Sequence, residues 1–188
     1  MSSASGLWLV PEKKRDPLET TTYGTGQLIK KALDTDCKKI IVGIGGSATN
    51  DAGMGMAQAL GVKFYDKDGR LLDPVGRELI NLARIDTKDI HASIKDSDIY
   101  VACDVDNPIY GKNGAAFVYA PQKGADLEAV KILDKGLTIF SEIVRKDLGK
   151  DISNLKGAGA AGGLGAGLVA FLDAELKPGT EIIIEATS

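Results

Sequence analysis

The segment KKIIVGIGGSATND, residues 38–51, decides the fold of this chain, because it joins an apolar run directly to a polar glycine turn. The apolar, β-branched run predicts a buried strand over residues 39–44. Residues 52–60 then predict a helix of small side chains, which Gly61 ends. A strand, a glycine turn and a helix in this order predict an α/β fold.

The turn between this strand and this helix is suited to bind an anion. Backbone N–H groups in a glycine turn, together with the positive end of a helix dipole, can hold a phosphate or a carboxylate. The residues of this turn are Gly45, Gly46, Ser47, Thr49, Asn50 and Asp51. We therefore expect the chemistry of the protein at this turn.

Two other interpretations of the same segment stay open. Gly43-Ile44-Gly45-Gly46-Ser47-Ala48 satisfies the G-x-G-x-x-A pattern of a dinucleotide-binding oxidoreductase, and Asp66 follows where a ribose ligand would stand. Against NAD, residues 49–51 separate the glycines from the helix, and the charge of Asp51 would repel a pyrophosphate. The third interpretation is the capped loop of a structural lobe that binds no ligand.

The remaining elements predict one domain with a mixed sheet and flanking helices. Residues 99–103 and 115–119 predict two further strands, and residues 181–186 predict a last one. Residues 126–148 predict the longest helix, because apolar side chains recur there every three or four positions. After Leu60 the chain lacks the regular alternation of strands and helices that a fully parallel sheet requires.

The composition argues against several classes of protein. With 188 residues, 44% of them hydrophobic, and no long apolar run, the chain can bury a core and predicts no membrane span. A formal net charge of -3 without a basic stripe argues against nucleic-acid binding. Cys37 and Cys103 fit a reducing cytoplasm better than a disulfide framework.

Polar residues after two later predicted strands are the other candidates for chemistry. Asp104 and Asn107 are of the types that hold Mg2+ or position a hydroxyl, although an Asx turn before Pro108 would also explain them. Lys123 lies in a rigid turn and is suited to neutralise a phosphoryl group or a carboxylate. The predicted cleft brings together residues 47–51, residues 104–107, including Asp106, and Lys123.

Five sequence blocks follow one another along the chain. They are TTTYGTG at residues 20–26, GIGGSATND at 43–51, ACDVDNP at 102–108, PQKGA at 121–125 and GAGAAGGLG at 157–165. These blocks resemble, in the same order, the signature blocks of the bacterial two-domain glycerate kinase family. The resemblance implies ATP-dependent phosphorylation of D-glycerate in the cytoplasm, with ATP and Mg2+ as cofactors.

We assign roles in this reaction to the candidate residues. Asp51 or Asp104 accepts the proton of the attacking hydroxyl, and Lys123 offsets the charge of a phosphate or of the glycerate carboxylate. The residues assigned to cofactor binding are Gly45, Gly46, Ser47, Thr49 and Asn50, and those assigned to substrate binding are Asp104, Asn107 and Lys123. The sequence leaves open which of them face ATP and which face D-glycerate, and Asp104 is the residue expected to hold Mg2+.

The family's chain is about twice as long as this one. The resemblance therefore implies that residues 1–188 are one domain, inserted into a second, discontinuous domain that is absent here. We expect this domain to fold by itself but to lack kinase turnover, because phosphoryl transfer needs two closing surfaces. Apolar surface near residues 6–10 or 182–184 would then be available for self-association.

Overall fold

The structure, a computed structural model, describes residues 1–187 and arranges their five strands in two sheets. The strands are β1 (Lys39–Gly43), β2 (Lys63–Tyr65), β3 (Arg84–Asp86), β4 (Asp98–Ala102) and β5 (Glu175–Lys177). β1, β4 and β5 form a parallel sheet in the order β1-β4-β5, with Ile40 opposite Ile99 and Tyr100 opposite Glu175. β2 and β3 form a separate antiparallel pair.

Helices flank both sheets. The α-helices are α1 (Ser2–Ser5), α2 (Tyr23–Asp34), α3 (Met54–Ala59), α4 (Ala115–Tyr119), α5 (Leu127–Leu148), α6 (Ala160–Leu172) and α7 (Gly179–Thr187). Short 3-10 helices span Leu7–Leu9, Glu12–Lys14, Gly76–Asn81, Ala92–Asp96 and Pro121–Lys123. One hydrophobic core contains side chains from both sheets and from α2 to α6. The predicted α/β fold in a single domain is confirmed, with its parallel and antiparallel pairings in separate sheets.

None of the helices in residues 1–187 combines the length and the apolar character that crossing a membrane requires.

The first strand is buried on one face only. Ile40 and Val42 point into the core, whereas Ile41 between them is 46% exposed. β1 is the edge strand of the parallel sheet, so one neighbour and one covered face are enough to hold it. The prediction of a strand is therefore confirmed, and the prediction that it is fully buried is wrong.

Residues 115–119 form helix α4, so the predicted strand there is wrong. Ala115, Ala116 and Ala120 are fully buried, whereas Phe117 and Val118 between them are partly exposed. This spacing is that of a helix face, and the N–H of Val118 donates to the carbonyl of Gly114 at 3.1 Å. An apolar run of five residues fits the repeat of a strand as well as that of a helix, so the sequence alone could not distinguish the two.

The long helix α5 is confirmed, with the ends that the sequence predicts. The side chain of Asp126 accepts a hydrogen bond from the N–H of Ala129 at 2.8 Å and caps the start. Gly149 ends the helix with φ of 70°, a left-handed conformation that costs glycine little. The apolar stripe of α5, which includes Leu133, Leu137 and Phe140, is buried in the core.

The end of the described chain forms a helix rather than the predicted strand at residues 181–186. The third strand of the parallel sheet lies earlier, at β5, and α7 begins two residues after it. The N–H of Gly179 at the start of α7 donates to Oδ1 of Asp104 at 2.9 Å. This contact ties the end of the chain to the loop after β4.

Candidate functional site

A cavity of about 480 Å³ lies beyond the carboxyl ends of β1 and β4. In a parallel sheet, loops from neighbouring strands meet at this edge, which is where ligands usually bind. The wall consists of Leu7, Ile44, Gly45, Gly46, Ser47, Ala102, Cys103, Asp104, Val105, Tyr119, Gln122, Lys123, Ala160 and Ala161. Its size is that of an ordinary small-molecule site.

Lys123 is the most deeply buried charged group of the cavity wall. Its side chain is only 2% exposed, and Nζ donates to Oγ of Ser47 at 2.8 Å and to the carbonyl oxygen of Thr49 at 2.7 Å. Within residues 1–187 it forms no salt bridge with a carboxylate. Burial lowers the pKa of Lys123 to about 7, and the more distant charge of Asp51 opposes this shift.

The position of Lys123 brings together two segments that are far apart in the chain. Lys123 ends the 3-10 turn after α4, and its side chain reaches Ser47, 76 positions earlier. Gly124 follows with φ of 102°, and a Cβ there would come within 2.2 Å of the carbonyl oxygen of Arg15. Lys123 therefore contacts residues 47–51, as the sequence predicts, although a helix and not a strand precedes the lysine.

The glycine turn after β1 is held open by the amino-terminal segment. The N–H of Leu7 donates to the carbonyl of Gly46 at 2.9 Å, and the N–H of Ala48 donates to the carbonyl of Ser5 at 3.0 Å. Gly46 has φ of 71°. Gly45 is exposed, and no atom lies within 4 Å of the place where its Cβ would be. The backbone at Gly45 is therefore accessible from the cavity.

Asp51 does not lie in the cavity wall. It is fully buried, and Oδ2 accepts hydrogen bonds from the N–H and the hydroxyl of Thr22, both at 2.8 Å. The N–H groups of Gly53 and Gly55 at the start of α3 also donate to this carboxylate, at 3.3 and 3.2 Å. Burial raises the pKa of Asp51, and these hydrogen bonds oppose the rise.

This arrangement corrects the prediction that the start of α3 is free to bind an anion. The carboxylate of Asp51 occupies that position and satisfies the N–H groups that a phosphate would need. The hydroxyl of Thr22 accepts a further hydrogen bond from the N–H of Met56 at 2.8 Å. The groups beside this turn that are left for an anion are the ammonium of Lys123 and the backbone around Gly45.

Thr49 and Asn50 lie behind the cavity wall. They are 1% and 0% exposed, and neither the hydroxyl of Thr49 nor the two polar atoms of the Asn50 amide have a hydrogen-bond partner among the described residues. Buried polar atoms of this kind are usually satisfied, so these two residues leave unused hydrogen-bonding capacity beside Lys123. Of the residues predicted for ATP, only Gly45, Gly46 and Ser47 line the cavity.

Asp104 is exposed in the cavity wall, two residues after the end of β4. Its Oδ1 accepts from Gly179, and no hydrogen bond to Oδ2 occurs within residues 1–187. Mg2+ in kinases is commonly held by one or two carboxylates together with substrate phosphates, so a single free carboxylate oxygen fits this ion. The described residues contain no cluster of three or more acidic, histidine or cysteine side chains that could form a complete protein cage.

Asn107 lies outside the cavity wall, in contrast to Asp104. Its Nδ2 donates to the carbonyl of Asn113 at 2.9 Å, and its Oδ1 accepts from the hydroxyl of Tyr119 at 2.5 Å. Its carbonyl accepts from the N–H of Gly159 at 3.0 Å. Asn107 therefore joins the loop after β4 to α4 and to the start of α6, and reaches the cavity through Tyr119.

The glycine-rich block at residues 157–165 forms the entrance to α6 and another part of the wall. Ala161, Gly162 and Gly163 have φ of 54°, 70° and 87°. A Cβ at Gly162 would come within 2.0 Å of the carbonyl of Thr49, so glycine is required there by close packing. This contact explains Gly162 by close packing of α6 against the turn after β1.

Several wall residues had no predicted role. Leu7 and Tyr119 lie outside all five sequence blocks, and Gln122 lies inside the block PQKGA at residues 121–125. Tyr119 and Gln122 precede Lys123 by four positions and by one. Because the short 3-10 helix Pro121–Lys123 holds these residues close together, their nearness to Lys123 in the sequence could have predicted them. The leucine comes from the amino-terminal segment that pairs with the glycine turn.

The structure contradicts the dinucleotide interpretation. A dinucleotide-binding unit needs its first two strands side by side in one parallel sheet, whereas β2 lies in the separate antiparallel pair. Oδ1 of Asp66 accepts hydrogen bonds from the N–H groups of Asp68 and Arg70 in its own turn, at 2.9 and 2.8 Å. The acidic residue expected to bind a ribose is therefore a turn residue.

Comparison with known proteins places the whole chain in one group. The family model described as "Glycerate kinase family" matches residues 1–188. A glycerate kinase from Halalkalibacterium halodurans is 54% identical over 188 residues, which are 100% of this chain and 50% of that protein. A glycerate 2-kinase from Escherichia coli is 51% identical over 186 residues, which are 99% of this chain and 49% of that protein.

A solved structure gives the same result. A crystal structure of a protein assigned as glycerate kinase 2 from Salmonella typhimurium superposes with a TM-score of 0.97 at 49% sequence identity. The match covers 98% of this chain and 50% of the Salmonella chain. The chain therefore spans about half the length of the relatives that it matches.

Proposed function

The chain belongs to the glycerate kinase family, and we propose that it supplies one half of the active site of an enzyme that phosphorylates D-glycerate with ATP. The acceptor and the nucleotide bind in the cavity beyond β1 and β4. The other half of the enzyme closes over this cavity, as the length of the relatives suggests. Kinase chemistry needs such closure to keep water away from the phosphoryl group.

One observation carries this proposal: the ammonium group of Lys123 is buried in the cavity wall and bonds only to neutral oxygens. A buried cation without a charged partner is costly, and an anion that enters the cavity would remove this cost. Both substrates of a glycerate kinase are anions. Lys123 therefore neutralises either the transferring phosphoryl group or the carboxylate of D-glycerate.

Asp104 is the residue that accepts the proton of the attacking hydroxyl. Its carboxylate faces the cavity, whereas the carboxylate of Asp51 is enclosed by four donors and has no path to a substrate. As the substrate oxygen bonds to the γ-phosphorus, the bond from phosphorus to the bridging oxygen of ADP breaks, and the proton moves to Asp104. Asp51 instead fixes the turn that carries Ser47 and Thr49.

The nucleotide lies against the open backbone of Gly45 and Gly46. Their lack of side chains lets a phosphate come close, and Lys123 lies beside the same turn. Asp104 is also the wall residue that would hold Mg2+ together with phosphate oxygens; because Oδ1 already accepts from Gly179, the two roles of Oδ2 are alternatives, and an Asp104 that holds Mg2+ would not accept the proton. When bound, this ion supplies charge that offsets the negative phosphates.

The apolar surface at the cavity entrance is where the other half of the enzyme docks. Trp8 and Leu9 are 71% and 43% exposed, and Leu7 beside them lines the cavity. The second expected apolar surface, at residues 182–184, is only partly present, because Ile182 is buried whereas Ile184 is 65% exposed. Without a partner, such apolar surface promotes self-association.

A cytoplasmic location is part of the same proposal, because Cys37 and Cys103 are both free.

The proposal is tested with a joined protein, in which residues 1–188 replace the matching half of the Escherichia coli relative. We expect ADP release that depends on D-glycerate and Mg-ATP at about 1 to 100 per second, as is usual for kinases. Asp104→Asn should lower turnover by at least about 100-fold. The matched control is Asp106→Asn, because Asp106 is 83% exposed and lies outside the cavity wall.

Three results would contradict this proposal. The first is a joined protein that folds but releases no ADP with D-glycerate. The second is full turnover by the 188-residue chain alone, which would place the entire active site within it. The third is an Asp104→Asn variant as active as the Asp106→Asn control, which would remove Asp104 from the reaction.

A further inference from the structure

Tyr119 is a polar wall residue to which the proposed reaction assigns no role. It ends α4, lines the cavity and holds its hydroxyl 2.5 Å from Oδ1 of Asn107. Burial raises the pKa of the Tyr119 hydroxyl, and the nearby thiol of Cys103 raises it further. The hydroxyl is therefore protonated at neutral pH, and its hydrogen must point to an acceptor.

The orientation of the Asn107 amide decides where this hydrogen points. Nδ2 of Asn107 lies 2.9 Å from the carbonyl oxygen of Asn113, which can only accept a hydrogen bond. The amide oxygen must therefore face Tyr119, and an amide oxygen can also only accept. The hydroxyl of Tyr119 consequently donates its single hydrogen to Asn107 and has none left for a ligand.

The oxygen of Tyr119 keeps a lone pair that can only accept a hydrogen bond. A carboxylate or a phosphate cannot serve it, because these groups are acceptors themselves. A substrate hydroxyl can. Lys123, Asp104 and Tyr119 all line this cavity, and they carry one cation, one carboxylate and one neutral acceptor. A small acid with two hydroxyl groups matches all three residues. Lys123 pairs with its carboxylate or with the phosphoryl group that it receives, and each of its two hydroxyls donates to one of the acceptors, Asp104 or Tyr119.

We propose that Tyr119 accepts a hydrogen bond from the hydroxyl of the acceptor substrate that is not phosphorylated, and that it thereby selects a dihydroxy acid over monohydroxy acids. This inference rests on the proposed function. Asn107 is the positioning residue, because it removes the hydroxyl hydrogen of Tyr119 from the cavity and acts on the substrate only through that residue.

The test compares substrates that differ by one hydroxyl, with Tyr119→Phe in the joined protein. D-lactate lacks the 3-hydroxyl of D-glycerate, and 3-hydroxypropanoate lacks the 2-hydroxyl. Each is measured as an inhibitor that competes with D-glycerate. We expect Tyr119→Phe to lower kcat/KM for D-glycerate about 3- to 10-fold, the usual effect of losing one neutral hydrogen bond. The variant should also weaken inhibition by the analogue that keeps the recognised hydroxyl, by a similar factor. Inhibition by the analogue that lacks this hydroxyl should not change.

Tyr65→Phe is the matched control, because Tyr65 lies on β2 and outside the cavity wall. This control should leave all three constants unchanged. Equal weakening of both analogues, no change for D-glycerate, or a change confined to the KM of Mg-ATP would overturn the assignment of Tyr119. If the unmutated joined protein releases no ADP with D-glycerate, the proposed function fails first, and the assignment fails with it.

Discussion

The two ends of the parallel sheet differ in the burial and in the pairing of their charged side chains. At the carboxyl end, Lys123 is 2% exposed and has no carboxylate partner within residues 1–187. At the amino end, Lys150 and Asp173 form a salt bridge of 2.6 Å with side chains that are 34% and 82% exposed. The buried charge at the carboxyl end lowers the folding stability, because it has left water without a charged partner. The exposed ion pair at the amino end contributes little to the folding stability.

Cavity size does not distinguish these ends. A cavity of about 390 Å³ at the amino end compares with about 480 Å³ at the carboxyl end. The Nζ atom of Lys150 is satisfied there by the carbonyl of Ala170 at 2.8 Å and by Asp173. An unpaired buried charge, rather than volume, therefore marks the candidate site.

The largest effect is expected from removing the buried cation. Lys123→Met in the joined protein should lower turnover by about 100- to 1000-fold, because the negative substrate loses its only buried positive charge in the described wall. Steady-state ADP release measures this change. Lys150→Met at the other end is the matched control, and its turnover should stay within about 2-fold of the unmutated protein. Similar losses in both variants would show that the two ends do not differ in function.

A stability change of intermediate size is expected at Asp51. Asp51→Asn places an amide NH2 against donors from Thr22, Gly53 and Gly55, so the free energy of unfolding should fall by about 2 to 4 kcal/mol. Urea unfolding of the 188-residue chain measures it. Asp173→Asn should cost less than about 1 kcal/mol, because its ion pair is exposed. Equal costs would mean that Asp51 is not a structural group.

The smallest effect is a pH dependence of anion binding. Because burial lowers the pKa of Lys123 to about 7, an anion that binds beside it raises this pKa, and above pH 7 Lys123 must take up a proton when the anion binds. The affinity for Mg-ATP should therefore fall as the pH rises above 7, by at most about 10-fold per pH unit. Calorimetric titration of the joined protein from about pH 7 to about pH 9 avoids the titration of the phosphate itself.

Lys123→Met is the control for this titration. The variant lacks the titrating group, so its weak affinity should not change over the same pH range. A constant affinity in the unmutated protein would show that Lys123 stays protonated and that the cavity does not destabilise its charge. An equally steep fall in the variant would assign the pH dependence to another group.

Local patterns of the sequence were sufficient where the neighbours in the chain supply the physical cause. The span of α5 and its apolar stripe were predicted, because both depend on residues within one or two helical turns of each other. The strand at β1 and the turn after it were predicted for the same reason. The helix at residues 115–119 was missed, because five apolar residues do not define a period.

The sequence by itself determined the α/β class, the family resemblance and the places where polar residues follow β1 and β4. Only the tertiary structure decided which of these residues reach a ligand. It enclosed Asp51 among four donors, left Asp104 in the cavity wall and turned Asn107 toward Tyr119. The reason is that burial and hydrogen-bond partners come from distant segments, as the contact between Ser47 and Lys123 across 76 positions shows.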